Sequence, residues 1–237
     1  MQRQEPEIQL DQQGLTITYK LVFLVEAVFH PELDQALQEK YLYAVTGAFL
    51  ADLILLKKVT IKQSSIEIFE IEKTDNKFIN SFFYILATQG RRKTLLDSFE
   101  LLKPLAKDMI EEIKRELLDA GFLVEKREGL PLIGPKVTYP KNKELMNNIQ
   151  AEIKRNLGTE KEMDKEVSYL ILLLEALNLL VRICESKRAL DNARIRAEEL
   201  LETDPIAKLL CRDVANKIKL EDLKYMAGGK VRTRLMR

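Results

Sequence analysis

The sequence predicts a mainly α-helical fold: a single multi-helix globular domain with short β-strands and a protruding β-hairpin. Apolar residues recur with a helical period along most of the chain, as Leu105, Met109, Ile113 and Leu117 do on one helical face. Strand-like runs are few and short. Residues 116–140 read ELLDAGFLVEKREGLPLIGPKVTYP, which is a helix end and a glycine followed by two strand-like runs around an apolar turn.

The first half of the chain alternates apolar helices with short strands. Gly47 lies inside the second helix, where it allows close packing against another helix at a cost of about 1 kcal/mol relative to alanine. Ile66, Ile68 and Ile71 alternate with acidic residues, which predicts a strand. The predicted elements are helix 15–29, a second helix to about residue 56, strand 59–61, strand 66–71 and helix 77–88.

The middle of the chain carries signals for helix starts and stops. Thr94 followed by Asp97 is an N-cap pattern and predicts a short helix through Leu102. Pro104 suits the first turn of a separate helix that runs to about residue 120. Gly121 can then take the left-handed conformation that ends a helix before the hairpin.

The second half of the chain reads as four helices and a tail. The helices are predicted near 141–157, 163–184, 187–202 and 205–219. Residues 1–14 are polar and predict a flexible N-terminal segment, and residues 15–220 form the domain. Residues 221–237 predict a basic flexible tail, because five lysines or arginines and no acid follow Asp222 and because Gly228 and Gly229 are adjacent.

Composition favours a cytosolic protein of ordinary charge. The formal net charge is +1, so no overall field attracts nucleic acid. Cys184 and Cys211 have no metal-ligand spacing, which indicates reduced thiols in the cytosol. The polar start of the chain lacks a signal-like apolar core. The longest apolar run, residues 169–184, is shorter than the roughly 20 residues that a bilayer requires.

Sequence motifs for catalysis are missing, so we expect no enzyme, no metal site and no cofactor. His30 is the only histidine, and no Cys-x-x-Cys pair occurs. The chain has no Walker A sequence, no dinucleotide glycine fingerprint and no G-x-S-x-G elbow. Its carboxylates alternate with lysines on helical faces, which is typical of solvated surfaces.

Two basic clusters are candidates for gripping a lipid phosphate. Lys103, Lys107 and Lys114 share one polar side of the predicted helix 104–120. Arg91 and Arg92 precede a helix N-terminus, where backbone N–H groups favour an anion. The same residues could serve solubility alone, so either cluster by itself leaves both interpretations open.

The turn of the predicted hairpin is apolar, which is unusual for a turn. Leu130, Pro131, Leu132 and Ile133 stand where turn chemistry normally places polar residues. An apolar tip suits insertion into a bilayer interface or burial against a second subunit of a homo-oligomer, and it could also fold back onto its own core.

A winged-helix module that binds nucleic acid or protein is the alternative interpretation. In it, residues 94–120 supply a helix pair and residues 122–138 supply the wing. Glu111, Glu112 and Glu116 on the recognition helix would repel phosphates, and the wing tip is not basic, which argues against nucleic acid.

An ordered set of segments resembles the Golgi phosphoprotein 3 family over nearly the whole chain. The segments are LTITYKLVFLVEAV (15–28), AVTGAFLADLILLKKVTI (44–61), TLLDSFELL (94–102), ELLDAGFLVEKREGLPLIGPKVTYP (116–140), SYLILLLEALNLL (168–180) and RAEELLETDP (196–205). The resemblance implies a mainly helical domain that binds membranes peripherally. Eukaryotic members recognise phosphatidylinositol 4-phosphate and bind the cytosolic tails of glycosyltransferases, and their hairpin contributes to membrane insertion or self-association.

The family's headgroup residues are mostly replaced in this chain. A tryptophan and three arginines hold the headgroup in the eukaryotic proteins, and the corresponding positions here are Leu37, Thr46, Lys107 and Ile110. Only Lys107 keeps a positive charge, and lysine lacks the planar fork of arginine. We therefore expect a non-catalytic, cytoplasmic adaptor that associates peripherally with anionic membrane lipid, with weakened selectivity for that headgroup. Cytosolic tails of membrane proteins are its expected partners.

Overall fold

The structure is a computed structural model. It describes residues 15–28, 35–63, 65–69, 77–88, 94–127, 136–140, 143–158, 163–184 and 186–234, with most of their side chains as far as residue 219. The elements are α1 (Ile17–Val28), α2 (Gln35–Leu55), β1 (Val59–Lys62), β2 (Ser65–Ile68), α3 (Lys77–Thr88), α4 (Leu95–Asp119), β3 (Leu123–Arg127), β4 (Lys136–Pro140), α5 (Glu144–Leu157), α6 (Lys165–Ala176), α7 (Leu180–Ile183), α8 (Lys187–Thr203) and α9 (Pro205–Arg234).

The predicted fold class is confirmed: the described residues form helices together with two antiparallel hairpins, β1–β2 and β3–β4. Helix α2 lies at the centre and packs against α1, α4, α6 and α9. Its side chains are apolar around most of its circumference, which is the pattern of a helix buried on all sides. The buried residues of α2 include Ala44, Val45, Ala48, Leu50, Ala51 and Leu53.

Gly47 brings α2 and α9 close together, as its place in the sequence predicts. A Cβ atom built on Gly47 would lie 2.7 Å from Cγ2 of Val214 and 3.1 Å from Cδ2 of Leu173. A real Cβ does not come this close to another carbon, so a larger residue would force the contact between α2, α6 and α9 to shift.

A buried carboxylate determines where α1 begins. Asp52 of α2 accepts hydrogen bonds from the backbone N–H groups of Ile17 at 2.9 Å and Thr18 at 3.1 Å. The first turn of a helix leaves such N–H groups without intrahelical partners. Asp52 therefore caps α1 from a distant part of the sequence.

Helix α4 is continuous, which corrects the prediction of two helices separated at Pro104. Thr94 and Asp97 form the predicted capping box at its start, and Pro104 lies inside the helix. Proline removes one helical hydrogen bond, but Leu102 and Ala106 on either side of it are buried in the core. Packing on both sides favours one continuous helix. The winged-helix interpretation needs a pair of helices here, and this prediction is therefore wrong.

The chain passes from α4 into the second hairpin as the sequence predicts. Gly121 has a φ of 75°, the left-handed conformation expected after the helix end. Leu123 then enters β3, whose residues pair with β4 from Leu123 opposite Pro140 to Arg127 opposite Lys136. Strand β3 packs against α4 and strand β4 packs against α1.

Two predicted boundaries in the second half are corrected. The predicted helix 163–184 is divided into α6 and α7 at Asn178, which has a φ of 57°. Asparagine tolerates this left-handed conformation better than most residues, so the chain can turn there. Helix α9 continues to Arg234, whereas residues after 220 were predicted to form a flexible tail. Extending an existing helix is much easier than nucleating one, which accounts for the continuation through Gly228 and Gly229.

Candidate functional site

Two of the three predicted α4 lysines face acidic side chains of neighbouring helices. Lys103 forms an ion pair with Glu39 of α2, and Nζ of Lys114 lies 3.2 Å from a carboxylate oxygen of Glu26 on α1. Lys107, one turn after Lys103, is exposed. Lys103 thus lies on the side of α4 next to α2 and Lys114 on the side next to α1, and carboxylates of those helices balance their charge.

Lys103 also belongs to a polar cluster built from three helices, which we call the Tyr43 cluster: Glu39, Tyr43, Glu100, Lys103 and Lys217. Nζ of Lys103 lies 5.1 Å from the centroid of the buried Tyr43 ring, and Nζ of Lys217 on α9 lies 5.7 Å from the same centroid. The Tyr43 hydroxyl donates to Oε1 of Glu100 at 2.9 Å, and the Lys217 ammonium donates to the same oxygen. Two cations thus lie near one tyrosine ring, and the hydroxyl of that ring shares a carboxylate oxygen with one of them.

The charges of the Tyr43 cluster influence one another. Burial alone would raise the pKa of Glu100, but hydrogen bonds from Lys217 and Tyr43 and the charge of Lys103 outweigh it and lower the pKa. Glu100 is therefore ionised at neutral pH. Together with the Lys103–Glu39 pair, the cluster matches two lysines with two glutamates.

A separate open cleft of about 650 Å³ lies between the start of α6 and the junction of α8 and α9. Its lining includes Lys165, Arg196, Glu199 and Asp204. Arg196 pairs with Glu199 at 2.6 Å, and the Asp204 carboxylate accepts the N–H groups at the start of α9. Arg196 and the first N–H groups of α9 are thus already paired with carboxylates inside the cleft.

The described residues offer little reactive chemistry. No group of three His, Cys, Asp or Glu side chains among them could hold a metal ion. Burial raises the thiol pKa of Cys211 and also that of Cys184, so both thiols are protonated at neutral pH and are poor nucleophiles. None of the helices in the described ranges has the length and hydropathy needed to cross a membrane.

Comparison with family models places residues 29–218 in the Golgi phosphoprotein 3 family. The match covers most of the chain, from just after α1 to the last described buried residues of α9. The chain belongs to the Golgi phosphoprotein 3 family. None of the curated proteins compared with the chain matches it.

Four positions were predicted to correspond to the family's headgroup residues; the side chains of three of them are described, and two of these are buried. Thr46 on α2 is buried and donates its hydroxyl to the backbone carbonyl of Leu42 at 2.9 Å. Ile110 on α4 is also buried, whereas Lys107 is exposed. The fourth, Leu37, belongs to the first turn of α2, and its side chain is not described. Only Lys107 presents a charge among these positions.

Several predicted site residues lie outside the described part of the chain. These are Arg91 and Arg92 before α4 and the hairpin turn residues Leu130, Pro131, Leu132 and Ile133. The structure describes the hairpin up to the pair formed by Arg127 and Lys136.

The partners that complete the Tyr43 cluster were not predicted from the sequence. Glu39 and Tyr43 are spaced i, i+4 on α2, and Glu100 and Lys103 are spaced i, i+3 on α4, so each pair lies on one helical face. That spacing could have identified both pairs from the sequence. Lys217 could not be found in this way, because its position depends on how α9 packs against α2.

Proposed function

We propose that this member of the Golgi phosphoprotein 3 family is a non-catalytic adaptor that rests on anionic membrane lipid. The observation that carries the proposal is the family match over residues 29–218, which includes both the α4 lysines and the hairpin. By analogy with the family, its partners are cytosolic tails of membrane proteins, and its place is the cytoplasmic surface of a membrane.

Two weak interactions would act together on the lipid. The hairpin turn would enter the interfacial zone, where each apolar side chain contributes about 1–2 kcal/mol if fully buried. Lys107 and other cations near the surface would add an attraction that salt screens. Because β3 packs against α4, the hairpin and the lysines belong to neighbouring elements, which supports a shared membrane-facing side.

Sedimentation with vesicles tests the role of the hairpin. We compare the wild type with Leu132→Asp/Ile133→Asp on phosphatidylcholine vesicles that contain phosphatidylserine. The matched control is Val181→Asp/Ile195→Asp, which places the same acidic groups at two exposed apolar residues of α7 and α8. The hairpin variant is expected to stay in the supernatant while the control sediments like the wild type. Equal sedimentation of all three proteins would remove the hairpin from the mechanism.

The charge contribution is tested separately with Lys107→Glu. Its control is Lys187→Glu at the exposed start of α8, which changes the net charge equally. We expect the first variant to bind anionic vesicles more weakly and with a shallower salt dependence than the second. The same loss in both variants would indicate that only overall charge matters.

Self-association is the competing use of the apolar turn. Measuring the mass of the wild type and of Leu132→Asp/Ile133→Asp in solution without lipid distinguishes the two. A dimer that the substitutions convert to a monomer would assign the turn to a subunit interface. If the wild type is a monomer, the lipid proposal is retained.

A further inference from the structure

Helix α9 continues beyond the part of the chain that matches the family. The family match ends at residue 218, whereas α9 continues to Arg234. We call residues 219–234 the α9 extension, and at about 1.5 Å per residue it is about 24 Å long. Among the side chains that the structure describes, Ile218 is the last buried one of α9. The extension therefore needs a role other than the core packing that the family shares.

The apolar positions of α9 change sides where the extension begins. The buried apolar residues of α9 are Ala207, Leu210, Cys211, Val214 and Ile218. Apolar positions of the extension that share one side of the helix, which we call the outer stripe, are Leu220, Leu223, Ala227 and Val231. With about 3.6 residues per turn, the outer stripe lies about 150° around the helix axis from the buried residues. Its direction is close to that of Asn216, which is exposed.

Basic residues accompany the outer stripe. The extension has no acidic residue after Asp222, and its basic residues after that point are Lys224, Lys230, Arg232 and Arg234. By helical position, Lys224 borders one side of the outer stripe and Lys230 borders the other. An apolar stripe bordered by cations is typical of a helix that lies in the interface of an anionic membrane. Long lysine stems also allow the ammonium to stay in water beside a buried apolar face.

The direction of α9 carries the extension past the start of α2. Gly47 of α2 lies against Val214 of α9. Four residues earlier on α2, the Tyr43 ring lies 5.7 Å from Nζ of Lys217, which is three residues later on α9. The two helices therefore run in opposite directions. Beyond Lys217 the chain of α9 continues toward the end of the molecule at which α2 begins.

Helix α4 brings an exposed lysine to the same end. Tyr43 donates to Glu100, and Glu39, one turn earlier on α2, pairs with Lys103, which is later on α4. Helix α4 therefore also runs opposite to α2. Its next turn carries the exposed Lys107 to the start of α2. The α9 extension and Lys107 thus lie at the same end of the molecule, where one flat surface can meet both.

A second copy of the chain fits the outer stripe less well than a lipid surface does. Two extensions pressed together along this stripe would bring Lys224 and Lys230 of both copies close to one another. Like charges that border a helix–helix contact destabilise it, and the extension has no acidic residue after Asp222 to compensate. An anionic bilayer offers both an apolar phase for the stripe and counter-charges for the lysines.

We propose that the α9 extension is a further membrane anchor that lies flat on an anionic bilayer. The outer stripe enters the interfacial zone, and Lys224 and Lys230 lie among acidic headgroups. Attraction of this kind needs negative surface charge but no particular headgroup, so phosphatidylserine is sufficient. The inference rests on the proposed function for its target, a membrane, but it uses neither the hairpin turn nor Lys107.

A tryptophan reporter tests which side of the extension meets the lipid. The chain contains no tryptophan, so a single substitution gives an unambiguous signal. Val231→Trp places the reporter on the outer stripe. Tyr225→Trp is the control, because residue 225 follows Ile218 by two helical turns and continues the buried side of α9.

Both reporter proteins are mixed with phosphatidylcholine vesicles that contain phosphatidylserine and a brominated lipid. The emission of Val231→Trp is expected to move to shorter wavelengths and to be quenched, and that of Tyr225→Trp to change much less. An unchanged emission of Val231→Trp, or equal changes in both proteins, would overturn the proposal.

The apolar contribution is measured by sedimentation with the same vesicles without brominated lipid. Leu223→Gln/Val231→Gln removes two apolar residues of the outer stripe without changing the charge. Its control is Tyr225→Gln/Met226→Gln, which removes two apolar residues of the extension outside the stripe. We expect binding about tenfold weaker for the first variant and about the wild-type value for the control. Equal binding of the two variants would contradict insertion of the stripe.

The charge contribution is measured with Lys224→Gln/Lys230→Gln. The control is Lys187→Gln/Lys208→Gln, which removes two exposed lysines from the starts of α8 and α9. At low salt the first variant should bind about tenfold more weakly than the control, because each basic residue near an acidic surface adds to the attraction. The difference should shrink as added salt screens the charges. The same loss in both variants would show that the lysines of the extension have no special part.

Comparison with the hairpin variant separates this inference from the proposed function. If the extension variants lose binding while Leu132→Asp/Ile133→Asp binds like the wild type, the extension is an anchor and the role of the hairpin fails. If the hairpin variant loses binding while both extension variants bind like the wild type, the proposed function is retained and this inference fails.

Two further measurements address other occupants of the extension. A wild-type dimer that Leu223→Gln/Val231→Gln converts to a monomer would assign the outer stripe to a second copy and overturn the proposal. Binding of a DNA duplex that depends on Lys224 and Lys230 but not on the stripe, without binding to vesicles, would overturn it as well. Circular dichroism first confirms that each variant is folded. If Leu223→Gln/Val231→Gln does not fold, the emission of Val231→Trp decides the test.

Discussion

Asp52 on α2 accepts two hydrogen bonds from Thr18 at the start of α1, one from its backbone N–H at 3.1 Å and one from its hydroxyl at 2.5 Å. These residues are far apart in the sequence and both are buried. One carboxylate thus fixes both where α1 begins and how it joins the central helix.

The buried carboxylate makes folding stability depend on pH. Burial raises the pKa of Asp52 to about 6, although hydrogen bonds from Thr18, Thr16 and Ile17 act in the opposite direction. The folded state therefore binds this proton more tightly than the unfolded state, whose pKa is near 4. The stability from Asp52 is complete below pH 4 and is lost as pH rises through about 6. The total change is about 3 kcal/mol.

Urea unfolding between pH 7 and pH 5 measures this effect, with Asp52→Asn as the reference that cannot titrate. Relative to that variant, the wild type should gain stability as the pH falls. Asp52→Asn should itself be less stable by about 1–2 kcal/mol at pH 7, because an amide nitrogen, which donates, replaces one of the two oxygens that accept these hydrogen bonds. A constant difference between the two proteins across this range would contradict the raised pKa.

Lys20 should be far more important for stability than an exposed lysine. Its ammonium lies 2.7 Å from Glu166 on α6 and 3.0 Å from Glu152 on α5, and the residue is buried. Burial alone would lower the pKa of Lys20, but hydrogen bonds to Glu166 and Glu152 outweigh burial and raise it. Lys20→Met leaves two partly buried carboxylates without their cation, which should cost about 2–3 kcal/mol in urea unfolding.

The comparison for Lys20 is Lys62→Met, whose lysine forms an exposed ion pair with Glu67. That substitution should change the free energy of unfolding by less than about 1 kcal/mol. Similar losses in the two variants would mean that burial of the Lys20 ion pairs does not matter.

Gly47→Ala should destabilise the protein by separating α2 from α9. The added methyl group would lie 2.7 Å from Cγ2 of Val214, which a packed core accommodates at a cost of about 1–3 kcal/mol. Gly158→Ala is the matched control, since that glycine has helical backbone angles and its Cβ would meet the Lys154 carbonyl only at 3.3 Å. We expect the control to change the free energy of unfolding by less than about 1 kcal/mol in either direction. Equal melting temperatures for both variants would show that Gly47 is not needed for the contact.

Tyr41→Phe should leave stability unchanged or raise it slightly. The Tyr41 hydroxyl is buried and has no hydrogen-bond partner among the described residues. Burial, together with the charges of Glu26 and Glu111, raises its pKa well above the ordinary value. Deleting an unpaired buried hydroxyl removes a desolvation cost.

Tyr43→Phe provides the contrast, because the Tyr43 hydroxyl donates to Glu100. Its loss should cost about 1 kcal/mol. If Tyr41→Phe destabilises the protein as much as Tyr43→Phe does, then Tyr41 has a partner outside the described ranges.

Local signals predicted much of the fold and only part of the site. The capping box at Thr94 and the left-handed Gly121 depend on residues near in sequence, and both are confirmed. Pro104 misled the prediction, because its local preference to open a helix was weaker than the packing of Leu102 and Ala106 on either side. The α4 lysines were identified, but not the carboxylates that balance Lys103 and Lys114.

By itself the sequence determined the periodic helices, the glycine contacts, the second hairpin and the family. These follow from backbone preference and from the spacing of apolar residues, which act over a few positions. The tertiary structure alone decided that Asp52 caps α1, that Lys20 meets Glu152 and Glu166, and that Lys217 joins Lys103 at the Tyr43 ring. Each of these contacts joins residues that are far apart in the sequence. They form only because the packing of the helices brings the charged groups close together.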